Sequence, residues 1–71
     1  METVTIRDEF IKLGQALKLA GISDSGVDAK ELITEGAVKV NGEVDLRRGR
    51  KLYDGDVVEA KGQSFRVSAK K

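Results

Sequence analysis

The sequence predicts an α+β domain with a short N-terminal strand, two packed helices and then a small antiparallel sheet of about four strands. Two patterns lead to this fold class. Between residues 10 and 36 apolar residues recur every three or four positions, which is the spacing of one helix face. From residue 37 they alternate with polar residues, which is the spacing of strands. Because no linker or internal repeat interrupts the chain, we expect a single domain over residues 1–71.

The first part of the chain predicts one strand and then a first helix. Val4 and Ile6 alternate with polar neighbours, as in a half-buried strand. Asp8 is placed to cap the N-terminus of the helix that follows. Gly21 is placed to end this helix, since glycine favours the position just after a helix. The residues expected on the buried face of the helix are Phe10, Leu13, Leu17 and Ala20.

A second helix is predicted between Ser25 and Gly36. Ser25 and Asp28 have the spacing of an N-terminal capping box, with aspartate in place of the usual glutamate or glutamine. Gly36 supplies the stop, as Gly21 does for the first helix. The residues expected on the buried face of the second helix are Ala29, Leu32 and Ile33.

The clearest strand signal is the hairpin sequence VKVNGEV at residues 38–44. Its turn is Asn41-Gly42, and both central positions of a type I′ turn need the positive φ that these two residues tolerate best. The two valines before the turn are expected to face the core. Val44 and Leu46 are expected to continue this pattern on the return side.

Two further turns divide the rest of the chain, at residues 54–56 (DGD) and 61–63 (KGQ). Phe65 and Val67 alternate with polar residues and predict a last short strand. The end of the chain, residues 69–71, is expected to be frayed.

Composition excludes several classes of function. The chain has no cysteine and no histidine, so it lacks disulfides, thiolate nucleophiles, the usual general base and the commonest zinc ligand. No apolar run reaches the roughly 20 residues of a membrane span, and the first residues do not have the pattern of a signal peptide. We therefore expect a cytoplasmic monomer that is not an enzyme, needs no cofactor or metal, and does not contact membranes.

Charge is distributed unevenly, although the formal net charge is +1. Residues 1–36 contain four basic and seven acidic side chains, whereas residues 37–71 contain nine basic and five acidic ones. Four of the basic residues form the run RRGRK at residues 47–51. Arginine can donate two parallel hydrogen bonds to one phosphate, so this run fits a polyanion. A solvated loop explains it equally well, and the residues by themselves leave both interpretations open.

The segment from Leu13 to Val58 resembles a small RNA-binding domain called the αL motif. That domain occurs in ribosomal small-subunit protein four, in bacterial tyrosyl-tRNA synthetases, in pseudouridine synthases and in a heat-shock protein that binds ribosomal subunits. The resemblance covers about residues 10–60 and is nearest to the free-standing bacterial members of about seventy residues. The positions that match the family pattern of spaced leucines, helix-ending glycines and a valine-x-valine-asparagine-glycine hairpin are Leu13, Leu17, Gly21, Ser25, Ala29, Leu32, Ile33, Gly36, Val38, Val40, Asn41, Gly42, Gly55 and Asp56.

This resemblance implies that the protein binds structured RNA through a basic face made by the two helices and the loop after the hairpin. Ribosomal RNA is the expected partner, either in a ribosomal subunit or in an assembly intermediate, and transfer RNA is the second candidate. The implied role is in ribosome assembly or translation. The candidate RNA-binding residues are Lys12, Ser25, Lys30, Lys39, Asn41, Arg47, Arg48, Arg50 and Lys51. Lys18 is a weaker candidate, and Asn41 and Ser25 are also explained by a turn and a helix cap.

The chain departs from the family pattern at two glycines. Many members have an acidic residue where Gly14 stands, and an arginine directly after the serine, where this chain has Gly26. That arginine often belongs to the RNA-facing surface of the family. The run RRGRK is the expected substitute for it.

The three aromatic residues are predicted to lie at core positions: Phe10, Tyr53 and Phe65. No pair of exposed aromatic rings would then be left to stack on bases, which argues against a reader of single-stranded RNA. Structured RNA, bound by its backbone and shape, is the expected target.

Two other functions compete with RNA binding. A protein–protein adaptor could use the acidic first half of the chain, and its binding would tolerate replacement of the basic run at residues 47–51. A ubiquitin-like sulfur carrier also contains VNGE hairpins. Such a carrier needs a Gly-Gly terminus, whereas this sequence ends Ser-Ala-Lys-Lys, so we reject that interpretation.

Overall fold

Two strands precede the first helix, and five strands follow the second, in the computed structural model of the chain, which describes residues 1–70. The elements are β1 (Glu2–Ile6), β2 (Phe10–Lys12), α1 (Leu13–Leu19), α2 (Gly26–Thr34), β3 (Val38–Val40), β4 (Glu43–Val44), β5 (Lys51–Tyr53), β6 (Val57–Ala60) and β7 (Gln63–Ala69). Within the described residues neither helix has the length and apolar content that crossing a membrane requires.

The strands form two sheets rather than one. The larger sheet has the order β1-β7-β6-β3-β4, and the smaller one pairs β2 with β5. The α+β class is confirmed, but the large sheet is mixed because β1 lies parallel to β7, with Val4 opposite Val67. This pairing makes β7 an interior strand, so that Phe65 and Val67 are fully buried.

The expected fraying of the chain end is wrong for Ala69 and Lys70. Ala69 pairs with Ile6 across β1 and β7, and its N–H donates to Asp54 Oδ1 at 2.9 Å. The N–H of Lys70 donates to the carbonyl of Ile6 at 2.8 Å. Because the Asp54 side chain satisfies one of these N–H groups and β1 satisfies the other, the segment is held in the sheet. Lys71 lies outside the described residues.

One hydrophobic core joins the helices to both sheets. Leu17 of α1 and Ile33 of α2 are fully buried, and so are Leu52 of β5 and Phe65 of β7. The predicted helix faces are therefore confirmed apart from Phe10, which lies in β2, and Ala20 and Leu32 are partly buried beside them. Burial of each such side chain contributes roughly 1.5–3 kcal/mol to folding, which is why the helical and strand periods of the sequence were informative.

The predicted ends of the helices are confirmed, except for the start of α1. The hydroxyl of Ser25 accepts a hydrogen bond from the Asp28 N–H at 3.2 Å and caps α2. After α1, the N–H groups of Gly21 and Ile22 donate to the carbonyls of Lys18 and Leu17, which is the Schellman pattern. The same pattern follows α2 at Gly36.

The helix α1 begins at Leu13, not near Asp8, and this prediction was wrong. Phe10–Lys12 forms strand β2 instead, with Ile11 buried opposite Leu52. The helical spacing of Phe10 was coincidental, because pairing with a distant strand decided the backbone conformation here. Lys12 stands at the N-cap position and provides no side-chain cap.

The hairpin turn is confirmed, with φ of 52° at Asn41 and 86° at Gly42. The Asn41 side chain ties this turn to β6, since its Nδ2 donates to Asp56 Oδ1 at 3.1 Å and its Oδ1 accepts from the Val57 N–H at 2.9 Å. The expected burial of the return side is wrong. Val44 is 51% exposed because the register puts it opposite the outward-facing Lys39, and Leu46, beyond the end of β4, is 60% exposed.

Candidate nucleic-acid interface

The loop after β4 is organised by a buried carboxylate, Asp45. Its side chain is only 5% exposed. Asp45 Oδ1 accepts hydrogen bonds from the Arg47 N–H at 2.9 Å and from Arg47 Nε at 3.2 Å. Asp45 Oδ2 accepts from Arg47 Nη2 at 3.0 Å and from Arg50 Nη1 at 2.7 Å. One carboxylate therefore fixes the positions of two of the four cationic side chains in the run at residues 47–51, Arg47 and Arg50.

These contacts determine the charge state of Asp45. The side-chain hydrogen bonds from Arg47, supported by that from Arg50, hold the pKa of the Asp45 carboxyl well below its usual range, although burial acts in the opposite direction. The hydrogen bond to the Asp45 carboxylate in turn raises the pKa of Arg47. Sequence reasoning missed Asp45, and the signal that could have found it was an acid two residues before a basic run.

The backbone of the same loop caps helix α1. The Leu13 N–H donates to the Arg50 carbonyl at 2.8 Å, and the Gly14 N–H donates to the Arg48 carbonyl at 3.1 Å. These are amides of the first helical turn, which have no partner within the helix. The loop thus supplies the cap that was expected from Asp8, and it holds the basic run against α1.

Gly14 allows Arg48 to lie across the start of α1. A Cβ atom at residue 14 would be 2.9 Å from Arg48 Cγ and 3.5 Å from Arg48 Cδ, and the first distance is too short for an unshifted contact. The position of the Arg48 stem therefore depends on the missing side chain. Among residues 1–70 Arg48 forms no ion pair with a carboxylate, in contrast to Arg47 and Arg50. Its guanidinium remains available to a ligand.

Arg48 lies beside two lysines in a groove between α1, the loop and the start of α2, with a volume of about 300 Å³. We call this feature the basic groove. It contains three cations and, in the part of the chain that the structure describes, no acidic side chain. A larger neighbouring groove of about 430 Å³ contains Asp8 as well as Arg7, so its charge is more balanced. The residues that line the basic groove are Lys12, Gly14, Gln15, Lys18, Gly26, Arg48 and Gly49.

The structure brings some of the predicted site residues together and separates others. Lys12 and Arg48 line the basic groove, together with Lys18, the weaker candidate. Arg47, Arg50 and Lys51 line a shallow depression that adjoins the groove through Gly49. Ser25 caps α2 immediately before Gly26 of the groove. These residues form one continuous basic surface.

Three predicted residues lie apart from that surface. Lys39 shares a depression with Glu59 and Lys61, and none of its lining residues belongs to the basic groove. Both polar groups of the Asn41 side chain already have partners in the protein. Lys30 is exposed on α2 and lines neither the groove nor the depression beside it.

The prediction that all three aromatic residues lie in the core is wrong. Phe65 is fully buried, but Tyr53 is 49% exposed and Phe10 is half-buried. The centroids of the Phe10 and Tyr53 rings are 6.0 Å apart, with the ring planes tilted by 49°. The surface therefore does contain an aromatic pair, and Lys51 Nζ lies 4.8 Å from the centroid of the Phe10 ring. Pairing of β2 with β5 creates this arrangement from residues that are distant in sequence.

Two packed helices joined to a hairpin and a basic loop are the architecture of an S4 domain. A model of that family matches residues 4–68, and the chain belongs to it. The chain is 55% identical over 65 residues to a Bacillus subtilis (strain 168) protein named “Probable ribosome maturation protein RlbA”, covering 90% of this chain and 92% of the relative. It is 44% identical over 59 residues to an Escherichia coli (strain K12) protein named “Putative RNA-binding protein YbcJ”, covering 83% and 84%.

Solved structures agree with this assignment. The solution structure of YbcJ from E. coli, described as revealing an αL motif involved in RNA binding, has a TM-score of 0.75 and 40% identity over 97% of this chain and 89% of that one. The 30S ribosomal protein S4e from Thermoplasma acidophilum has a TM-score of 0.64 and 26% identity over 84% of this chain and 32% of that one. The resemblance to the αL motif family is thereby confirmed.

Proposed function

We propose that this protein binds structured RNA, with ribosomal RNA as the target, and acts in ribosome maturation in the cytoplasm without catalysing a reaction. The observation that carries this proposal is the basic groove, where Lys12, Lys18 and Arg48 converge with no acid among the described lining residues. The two relatives, the “Probable ribosome maturation protein RlbA” and the “Putative RNA-binding protein YbcJ”, support it.

The charges of the groove suit a phosphate backbone. Lysine offers a compact charge, and arginine can bind one phosphate through two parallel N–H donors. Each contact releases counterions from the RNA, which is favourable at low salt. Arg47, whose side chain is 73% exposed, keeps an open side toward solvent although it is paired with Asp45. The groove and the adjoining loop therefore form one phosphate-binding surface.

Arg48 explains how the chain functions with glycine at residue 26. Members of the family often have an arginine directly after the serine, where this chain has Gly26. Gly26 and Arg48 line the same groove, so the loop brings an arginine to the groove in which this chain has no arginine at residue 26. Gly14 permits this arrangement because it has no Cβ to displace the Arg48 stem. We infer that Gly14 and Arg48 act together.

Gly14→Ala is expected to weaken RNA binding by about tenfold, the equivalent of one lost charge-assisted contact. The new Cβ would displace Arg48 from α1. The free energy of unfolding should change by less than about 1 kcal/mol. The helix propensity of alanine is better than that of glycine by about 1 kcal/mol, and this gain offsets the cost of moving the Arg48 side chain. Fluorescence anisotropy with labelled ribosomal RNA fragments measures the affinity, and denaturant unfolding measures the stability.

Gly26→Ala is the matched control for this prediction. It makes the same chemical change in the same groove, but no atom lies within 4 Å of the added Cβ. Its affinity should stay close to that of the wild type. Equal affinities for Gly14→Ala and the wild type would show that the position of Arg48 over α1 does not matter for binding.

Crosslinking and sequencing of RNA from cells tests the function itself. The wild-type protein should recover ribosomal RNA, and Arg48→Glu should lose most of it, whereas Lys39→Glu in the separate depression should not. Recovery of mainly transfer RNA would overturn the assignment to ribosomal RNA. Recovery of no RNA, with protein partners that tolerate Arg48→Glu, would favour the adaptor function instead.

A further inference from the structure

The geometry points to a second binding site beside the basic groove, on the outward face of the ribbon formed by β2 and β5. We infer that this face binds one unpaired nucleotide of the RNA, with its base against the aromatic pair Phe10–Tyr53 and its phosphate between Lys12 and Lys51. The inference rests on the proposed function, since it needs RNA in the groove. It adds recognition of a single-stranded segment to a domain expected to read structured RNA.

The register of the ribbon places these four side chains on one face. Phe10 is opposite Tyr53, and Lys12 is opposite Lys51. The residues between them, Ile11 and Leu52, point into the core and are buried. Because side chains alternate along a strand, the other two pairs face outward together. The half-exposed Tyr53 ring offers a flat apolar surface, and such surfaces stack on any base.

The lysine pair indicates a negatively charged occupant. Like charges directly opposite each other on neighbouring strands disfavour the pairing. Over residues 1–70 neither Lys12 nor Lys51 forms an ion pair with a carboxylate, and Lys51 instead lies over the Phe10 ring. A phosphate between the two ammonium groups would relieve their repulsion. An aromatic surface next to a phosphate site is complementary to a nucleotide.

The surroundings also give the site a direction. A depression on the far side of Tyr53 is lined by Asp54, whose carboxylate would repel a phosphate. At the other end of the ribbon, Lys12 belongs to the basic groove. An RNA strand leaving the groove would therefore reach the lysines first and the aromatic rings next.

The test uses two synthetic RNAs, a blunt hairpin and the same hairpin with a short single-stranded adenosine extension carrying 2-aminopurine. The wild type should bind the extended RNA roughly tenfold more tightly than the blunt one, which is a typical effect of stacking one base on an aromatic ring. Stacking on the protein should also change the 2-aminopurine fluorescence. The measurement is made at low salt, where phosphate contacts are strongest.

Two substitutions of Tyr53, the single tyrosine, distinguish the contribution of the flat ring from that of the hydroxyl group and from that of apolar contact alone. Tyr53→Phe retains the ring and should keep the preference for the extended RNA. Tyr53→Leu retains an apolar contact with Phe10 but has no flat ring, so the preference and the fluorescence change should disappear while affinity for the blunt hairpin is unchanged. Circular dichroism confirms that both variants are folded.

The possible failures are distinguishable. If the wild type binds both RNAs with equal affinity, and Tyr53→Leu binds them with the same affinities as the wild type, the nucleotide site is overturned and the proposed function stands. If the wild type binds neither RNA, the proposed function fails and the nucleotide site fails with it.

Discussion

Replacing Lys12, Lys18 and Arg48 together by glutamate is expected to weaken RNA binding by about 100-fold or more, because three phosphate contacts of roughly 1 kcal/mol each would be replaced by repulsion. All three side chains are exposed, so the fold should be retained. The affinity is measured by anisotropy as a function of salt concentration. The logarithm of the association constant should fall with the logarithm of the salt concentration. We expect a slope of about −3 for the wild type, from about four phosphate contacts, and about −1 for the variant, from the one that remains.

The control variant has the same change in net charge, but at three residues outside the basic groove. Lys39, Lys61 and Arg66 are exposed and lie outside the basic groove. Their replacement by glutamate should reduce affinity only through the weaker, screened field of the whole molecule. A loss of affinity as large as that of the groove variant would mean that net charge, not the groove, directs the RNA.

Asp45→Asn is expected to lower the free energy of unfolding by about 1–2 kcal/mol at neutral pH, because hydrogen bonds to a charged group are exchanged for weaker ones. The loss is smaller than for a fully buried ion pair because the Arg47 side chain is 73% exposed and solvent screens its interaction with Asp45. RNA affinity should fall as well, although a negative charge has been removed. The reason is that the loop would no longer hold Arg48 at the groove. Denaturant unfolding and anisotropy provide the two measurements.

The stabilisation by Asp45 should depend on pH in one direction. Its pKa is lowered by folding, so the folded protein binds fewer protons there than the unfolded chain does. The contribution is therefore complete above the unfolded value of about 3.8 and is lost as the pH falls below it toward the lower folded value. The difference in stability between the wild type and Asp45→Asn should shrink in that acid range.

The exposed acid Asp24 provides the control, since no hydrogen bond or ion pair is found for it within residues 1–70. Asp24→Asn should leave both stability and affinity near the wild-type values. If Asp45→Asn instead bound RNA more tightly than the wild type, the loss of a negative charge would outweigh the loss of loop geometry. The role assigned to Asp45 in positioning the loop would then be wrong.

The sequence predicted the elements that depend on neighbouring residues. Ser25 caps α2 as expected, and the Asn41-Gly42 turn has the expected positive φ values. The helical spacing of Leu13 and Leu17 identified a face that is fully buried. These signals are local, because backbone conformation and hydrogen bonding within a few residues decide them. The basic run at residues 47–51 could likewise be recognised in the sequence, although its contacts with Asp45 and with the start of α1 could not.

The tertiary structure alone decided which distant residues meet. Pairing of Phe10–Lys12 with residues 51–53 changed a predicted helical turn into a strand and exposed an aromatic pair. Burial of Asp45 divided the basic run, so that two arginines hold the loop while Arg48 lies free over Gly14. The physical reason is that these contacts follow from burial of a shared core by segments far apart in the chain. The sequence by itself determined where the helices and the hairpin turn lie, and the fold decided which cations face a common groove.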